Sequence, residues 1–148
     1  MREHRVDAFE DLVTLDALFV LQHHTDNEPL LPGLGVFKCR AASGAFVPFL
    51  PLFLSPKIVE IDIKFAANVP MFMAASTIPR FSKSCPNIQY IFLDRLPRNR
   101  IITEAVSEML LACNRDTLQV FRGNCPLTEE ARVFLHTLQN SRKIVLFK

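Results

Sequence analysis

The apolar positions of this chain recur at a fixed spacing. The segments that begin at Ile58, Ile88 and Leu118 read apolar-x-x-apolar-x-(apolar or small), and they start 30 residues apart. Two shorter copies, 34–39 and 144–147, flank them. Alternation of this kind indicates a strand with one buried face, and each interval leaves room for one helix. Strand-plus-helix units at a fixed period are typical of leucine-rich repeats.

The segments between the predicted strands carry helical patterns. Five segments place apolar residues at helical or near-helical spacing: 6–22, 46–54, 69–84, 102–113 and 128–139. The second is a short return interrupted by prolines, which favours helical or irregular structure. In the third, Met71 and Phe72 are predicted to share the buried face, and Pro79 should kink or split the helix. Thr128 is the natural N-cap of the last helix.

The predicted fold class is α/β, a short leucine-rich-repeat solenoid. It should be one domain over 1–148, with an N-terminal helix over 6–22 and repeats from about residue 34. About five parallel strands should line one face and helices the other. No polar cap is visible after the last predicted strand, so either the chain is a piece of a longer solenoid or this edge meets a partner. A doubly wound α/β domain is the alternative architecture.

Composition and charge exclude several classes of protein. Apolar residues make up 49% of the chain, charged residues 22%, and the net charge is +2. These values are typical of a globular protein, and the scattered basic residues give no footprint for nucleic acid. No apolar run reaches the length of a membrane span, so a membrane partner is not expected. No signal-peptide core follows the charged start, which predicts a cytoplasmic or nuclear protein.

The residues that could carry chemistry show no catalytic pattern. The four cysteines form no Cys-x-x-Cys pair, and we interpret them as buried thiols: Cys39, Cys85, Cys113 and Cys125. His23 and His24 are neighbours on a predicted helix and would point about 100° apart, which argues against a shared metal. There is no glycine-rich phosphate loop. We therefore expect no enzyme, no cofactor and no metal.

Outward-facing residues of stacked strands should form columns on the concave face of the sheet. The predicted protein-binding surface consists of Lys38, Glu60, Asp62, Tyr90, Phe92, Asp94, Val120, Arg122 and Asn124. Tyr90 and Phe92 would be the anchors, and charged residues would form the rim, as in a binding hot spot. The alternative is that these apolar side chains are scattered and covered by a neighbouring loop.

Several segments resemble a known family. The stretches 85–93, 104–109, 114–119 and 126–131 are similar to the leucine-rich-repeat region of F-box proteins from mushroom-forming fungi, most clearly from about Ser55 onward. The resemblance implies the substrate-recognition part of a ubiquitin ligase adaptor, in which repeats bind the protein substrate and an F-box binds Skp1 and, through it, a cullin. Residues 1–40 lack the Leu-Pro-x-Glu/Asp opening of an F-box, so any Skp1 contact would come through an F-box missing here.

Two other functions remain open from the sequence. The first is a small doubly wound α/β domain that binds a nucleotide or acts as an enzyme, since alternating strands and helices also fit that class. The second is a structural repeat fragment without a ligand.

Overall fold

A computed structural model describes residues 2–6, 33–42, 44 and 46–141. Five parallel strands form one sheet, in which each strand pairs with the next along the chain. They are β1 (Arg2–Val6), β2 (Leu34–Ala42), β3 (Glu60–Phe65), β4 (Tyr90–Asp94) and β5 (Val120–Gly123). The chain is therefore α/β with a parallel sheet, as predicted.

The observed strands agree with four of the predicted ones and add another. Strands β2 to β5 lie in the four predicted segments from Leu34 to Gly123. The prediction of a helix beginning at Val6 is wrong, because 2–6 is strand β1, paired with β2. This segment holds a single apolar residue besides its charged ones, so it has no alternation to mark it as a strand. The rest of the predicted helix, 7–22, and the predicted strand 144–147 lie outside the described residues.

The helices fall in the intervals between strands. They are a 3-10 helix (Val47–Phe53), α1 (Met71–Thr77), α2 (Pro79–Ser84), α3 (Arg100–Leu111) and α4 (Glu129–Ser141). Pro79 splits the third predicted helix into α1 and α2, as expected of a residue without a backbone N–H. Successive helices pack against one another, α1 and α2 against α3, and α3 against α4.

Side-chain caps fix the N-termini of α3 and α4. The backbone N–H of Ala131 donates to Oγ1 of Thr128 over 3.3 Å, which confirms Thr128 as the N-cap of α4. Asn99 caps α3 in the same way, since its Oδ1 accepts from the N–H of Ile102 at 2.9 Å. Both caps satisfy donors that have no partner within their helix.

One face of the sheet forms the hydrophobic core with the helices. The inward residues of β3, β4 and β5 include five that are fully or almost fully buried: Ile61, Ile63, Ile91, Leu93 and Phe121. They share one cluster with helix residues such as Ile78, Val106 and Ala131. The alternation of buried and half-buried positions along β3 and β4 confirms the predicted strand phase.

Each unit also repeats the same hydrogen bond ahead of its strand. The N–H of Val59 donates to the carbonyl of Gly35 at 2.8 Å, Gln89 to Val59 at 2.8 Å, and Gln119 to Gln89 at 2.9 Å. The units therefore stack in a constant register, which sets which outward side chains become neighbours.

Candidate functional site

The outward residues of the sheet form two continuous columns. Parallel pairing aligns Val36, Glu60, Tyr90 and Val120 in the first column, and Lys38, Asp62, Phe92 and Arg122 in the second. Both alignments agree with the sequence-based prediction. Adjacent strands lie about 4.8 Å apart, so side chains of one column are direct neighbours. We call the outward surface formed by these two columns the column face.

The first column holds its polar groups in place through two contacts. Nζ of Lys38 lies 3.7 Å from Oε2 of Glu60, and both side chains are half-buried. The hydroxyl of Tyr90 donates to Oε1 of Gln119 at 3.2 Å. Tyr90 is itself half-buried, so its ring is fixed while part of its surface stays open to solvent.

The second column contains an aromatic ring that is stacked with a cation. The guanidinium carbon of Arg122 lies 4.9 Å from the centroid of the Phe92 ring. An arginine in this position is attracted to the ring face and covers part of its apolar surface. Phe92 is half-buried, and the other residues of its column are charged.

An open groove of about 530 Å³ lies on this side of the sheet. Its lining residues are Lys38, Cys39, Arg40, Asp62, Lys64, Asp94 and Arg122. The groove thus presents cations and carboxylates close together, a surface that favours polar partners over an apolar small molecule.

A bulge interrupts the pairing at one end of the groove. The register of β2 against β3 shifts between Cys39 and Ala42, so the described ladder does not pair Arg40 with Lys64. Lys64 still pairs with Asp94 on the next strand. The columns are therefore regular as far as Cys39 and irregular beyond it on β2.

Two predicted site residues support the loop after β4. Oδ1 of Asp94 accepts from the N–H of Arg95 at 2.9 Å, and Arg95 adopts a φ of 59°. Oδ1 of Asn124 accepts from the N–H of Leu96 at 3.0 Å. Asn124 thus holds the fold together, whereas the carboxylate of Asp94 is exposed beside the groove.

The cysteines are not activated as nucleophiles. Burial raises the pKa of Cys85 and of Cys113 to about 12, and the pKa of Cys125 to about 11. A thiol with so high a pKa carries almost no thiolate at neutral pH. Cys39 is also buried. All four agree with the prediction of buried thiols.

The described part of the chain contains neither a cluster of metal ligands nor a helix that could span a membrane. No group of three His, Cys, Asp or Glu side chains there could hold a metal ion. None of the described helices has the length and apolar character needed to cross a membrane. The predicted pair His23 and His24 lies outside the described residues.

The sequence did not reveal an exposed apolar surface on α1. Met71 and Phe72 were predicted to be buried, but both are exposed. The buried residues of α1 are Ala74 and Thr77. At about 100° per residue Phe72 lies nearly opposite both of them, which is why the prediction is wrong.

Comparison with known proteins adds no relative: no protein-family model matches the chain, and neither a curated protein nor a solved structure matches it. The resemblance to fungal F-box repeats therefore stays a prediction from the residues that carry it.

Proposed function

We propose that the chain is a non-catalytic protein-recognition module that binds its partner through the column face. The observation that carries this proposal is the pair of in-register columns in which Tyr90 and Phe92 are each held by a side-chain contact. Ordered aromatic side chains surrounded by charges lose little conformational entropy on binding, and such residues dominate the energy of many interfaces.

We further propose that the fold is a leucine-rich-repeat solenoid. In support, β3, β4 and β5 begin at Glu60, Tyr90 and Val120, again 30 residues apart, and every strand pairs with its neighbour in the chain. A solenoid of this kind grows by adding one unit beside the last, and its sheet serves as an extended binding surface. Together with the family resemblance, this favours a substrate-recognition role in a ubiquitin ligase adaptor.

The strand order weighs against the doubly wound alternative. In that class the strand order reverses, and the ligand binds in the crevice at the point of reversal. The five described strands run in simple sequential order, so this part of the sheet offers no such crevice. A recognition surface spread over several strands is the function that this order favours.

The test is to remove the two aromatic anchors. Tyr90→Ala combined with Phe92→Ala should abolish co-purification of the partner from the native cell, as identified by mass spectrometry, while Tm changes little, since both rings are only half-buried. Val133→Ala is the matched control, because Val133 is an exposed apolar residue on α4. Recovery of Skp1 and a cullin with the unmodified chain would support the ligase role.

Two results would count against the proposal. If the double variant retains every partner of the unmodified chain, the column face is not the binding surface. If the unmodified chain captures no protein beyond those captured by a denatured control, the ligand-free structural alternative is favoured instead.

A further inference from the structure

A second surface lies on the helix side of the molecule, where α1 meets the start of α3. Its apolar part consists of Met71, Phe72, Met73 and Ile101, whose exposed fractions are 39%, 74%, 39% and 38%. Two exposed arginines, Arg98 and Arg100, lie three residues and one residue before Ile101 in the chain. We call these six residues the α1 rim. A phenylalanine with three-quarters of its surface in water is unusual, because burying it would gain free energy.

The two halves of the α1 rim lie beside each other, because α1 packs against α3. The side-chain amide of Asn99 contacts Sδ of Met71, which joins the loop before α3 to the first turn of α1. The same Asn99 caps α3. Two residues before Arg98, Leu96 is buried and its N–H donates to Asn124. The arginines therefore project from a fixed loop beside the apolar residues.

The charge of this loop has one sign. The segment 95–100 contains three arginines, all exposed, and no acidic residue. Only Arg100 has an acidic partner in the described part of the chain, Glu104, with Nε and Oε1 3.0 Å apart. The α1 rim is thus an apolar patch beside positive charges. In the described part of the chain, only one of these charges is paired with a carboxylate.

From this juxtaposition we propose that the α1 rim binds an acidic, amphipathic segment of a partner protein, at a site separate from the column face. Methionines adapt to varied apolar side chains, and Met, Arg and aromatic residues are the types enriched in interfaces. Carboxylates on the segment would pair with Arg98 and Arg100, and its apolar side chains would cover Phe72.

Charge and shape favour this occupant over two others. A second copy of the chain would bring two positive rims together in a symmetric contact, and like charges oppose such an arrangement. A membrane surface is usually bound by a long amphipathic helix, whereas the α1 rim combines single turns of two helices. A protein segment with carboxylates satisfies both the apolar and the cationic part.

The test uses defined peptides and fluorescence anisotropy at low salt. The probe is a labelled peptide of about twelve residues made of Asp, Glu, Leu and Phe. One comparison peptide carries Ser in place of Leu and Phe, and another carries Lys in place of Asp and Glu. We expect saturable binding of the first peptide only, weakened by rising salt because exposed charge pairs are screened.

Two variants separate the contributions of apolar surface and charge. Phe72→Ser and Arg98→Glu should each raise Kd by about tenfold or more, the effect expected of an interface anchor. The matched controls are Val133→Ser and Lys57→Glu, because both residues are exposed and neither belongs to the α1 rim. Their Kd should stay within about twofold of the unmodified chain. Circular dichroism checks that each variant is folded.

The proposal is overturned if the three peptides bind equally, if none binds, or if the control variants lose as much affinity as the rim variants. Binding to vesicles with anionic lipid that Phe72→Ser abolishes, without peptide binding, would assign the α1 rim to a membrane. Concentration-dependent dimerisation abolished by the same variant would assign it to a second copy. The Tyr90→Ala and Phe92→Ala variant should bind the acidic peptide normally, so failure of this proposal and failure of the proposed function are distinguishable.

Discussion

Gly123 closes β5 against the ring of Phe121, two residues earlier on the same buried side of the strand. A methyl group at Gly123 would lie 2.7 Å from Cζ of Phe121 and 3.4 and 3.5 Å from its two Cε atoms. The Phe121 ring is buried in the core, so it cannot shift toward solvent to make room for the methyl group. We therefore expect Gly123→Ala to destabilise the protein through lack of space, since the glycine has no positive φ to lose.

Two effects of opposite sign determine how much Gly123→Ala changes the free energy of unfolding. Overpacking a well-packed core costs about 1–3 kcal/mol in the free energy of unfolding. Replacing glycine by alanine restricts the unfolded chain and returns about 0.4–1 kcal/mol. Overpacking is the larger effect, so the net loss should be about 0.5–2 kcal/mol. For a chain of this size that corresponds to a decrease in Tm of about 2–8 °C.

A double-mutant cycle with Phe121→Leu isolates the steric effect. The single variant Phe121→Leu should itself cost about 1–2 kcal/mol, because the smaller side chain leaves part of the core unfilled. In that background the ring is gone, so adding Gly123→Ala should be neutral or stabilising by up to about 1 kcal/mol. The coupling free energy should therefore be about 1–3 kcal/mol in favour of the double variant.

Urea unfolding followed by circular dichroism measures all four proteins, and equal slopes of free energy against urea would show that the unfolded states are comparable. The reasoning is refuted if Gly123→Ala is as stable as the unmodified chain. It is equally refuted if the two substitutions add within about 0.5 kcal/mol, the level expected of residues that do not interact.

Two further predictions concern titration and the backbone. Burial raises the pKa of Cys85 and Cys113 to about 12 from 9.0, so the folded state favours neutral thiols; this contribution to stability is complete below about pH 9 and is lost as the pH rises toward 12. The urea concentration at the unfolding midpoint should fall as the pH rises over that range. It should fall less in the double variant Cys85→Ala and Cys113→Ala. An equal fall in both proteins would show that these two thiols do not cause the pH dependence. Arg95 has a φ of 59°, which a β-branched residue adopts poorly. Arg95→Val should lower stability by about 1 kcal/mol or more, whereas Arg95→Gly should retain or raise it, and thermal unfolding that ranks the two the other way would show that this backbone is not strained.

The sequence was informative wherever burial alternates. Ile61 and Ile63 are buried and Asp62 between them is half-buried, so the phase of β3 can be read from the residue types alone. The thirty-residue spacing then fixed the register, and with it the neighbours Tyr90 and Val120. A shared phase and a shared period are sufficient to predict the two columns of the column face.

The remaining features depend on the backbone and on helix orientation, which leave no such pattern. Strand β1 pairs through main-chain groups and carries little apolar sequence. The bulge between Cys39 and Ala42 inserts a residue without changing the residue types around it. The exposure of Phe72 follows from the orientation of α1, which turns Ala74 and Thr77 toward the core. These three features could be recognised only in the three-dimensional structure.

Residue types at inward positions differ less freely from one unit to the next than residue types at outward positions. The inward pair Ile61 and Ile63 on β3 fills about the same volume as the pair Ile91 and Leu93 on β4, because Ile and Leu are isomers. In the last unit the larger Phe121 is balanced by Gly123, whose missing side chain the ring occupies. This is why the third copy of the pattern ends in a small residue. The fixed volume of the core thus constrains each inward pair as a unit.

Outward positions face no such constraint. One column changes from Asp62 to Phe92 to Arg122 between consecutive strands, an acid, an aromatic and a base on the same backbone geometry. Because the three positions share one backbone geometry and face away from the core, such changes alter the chemistry of the surface at little cost in folding free energy. Under the proposed function, these outward residues determine which partner is bound, and the Phe92–Arg122 stack joins two units on that surface.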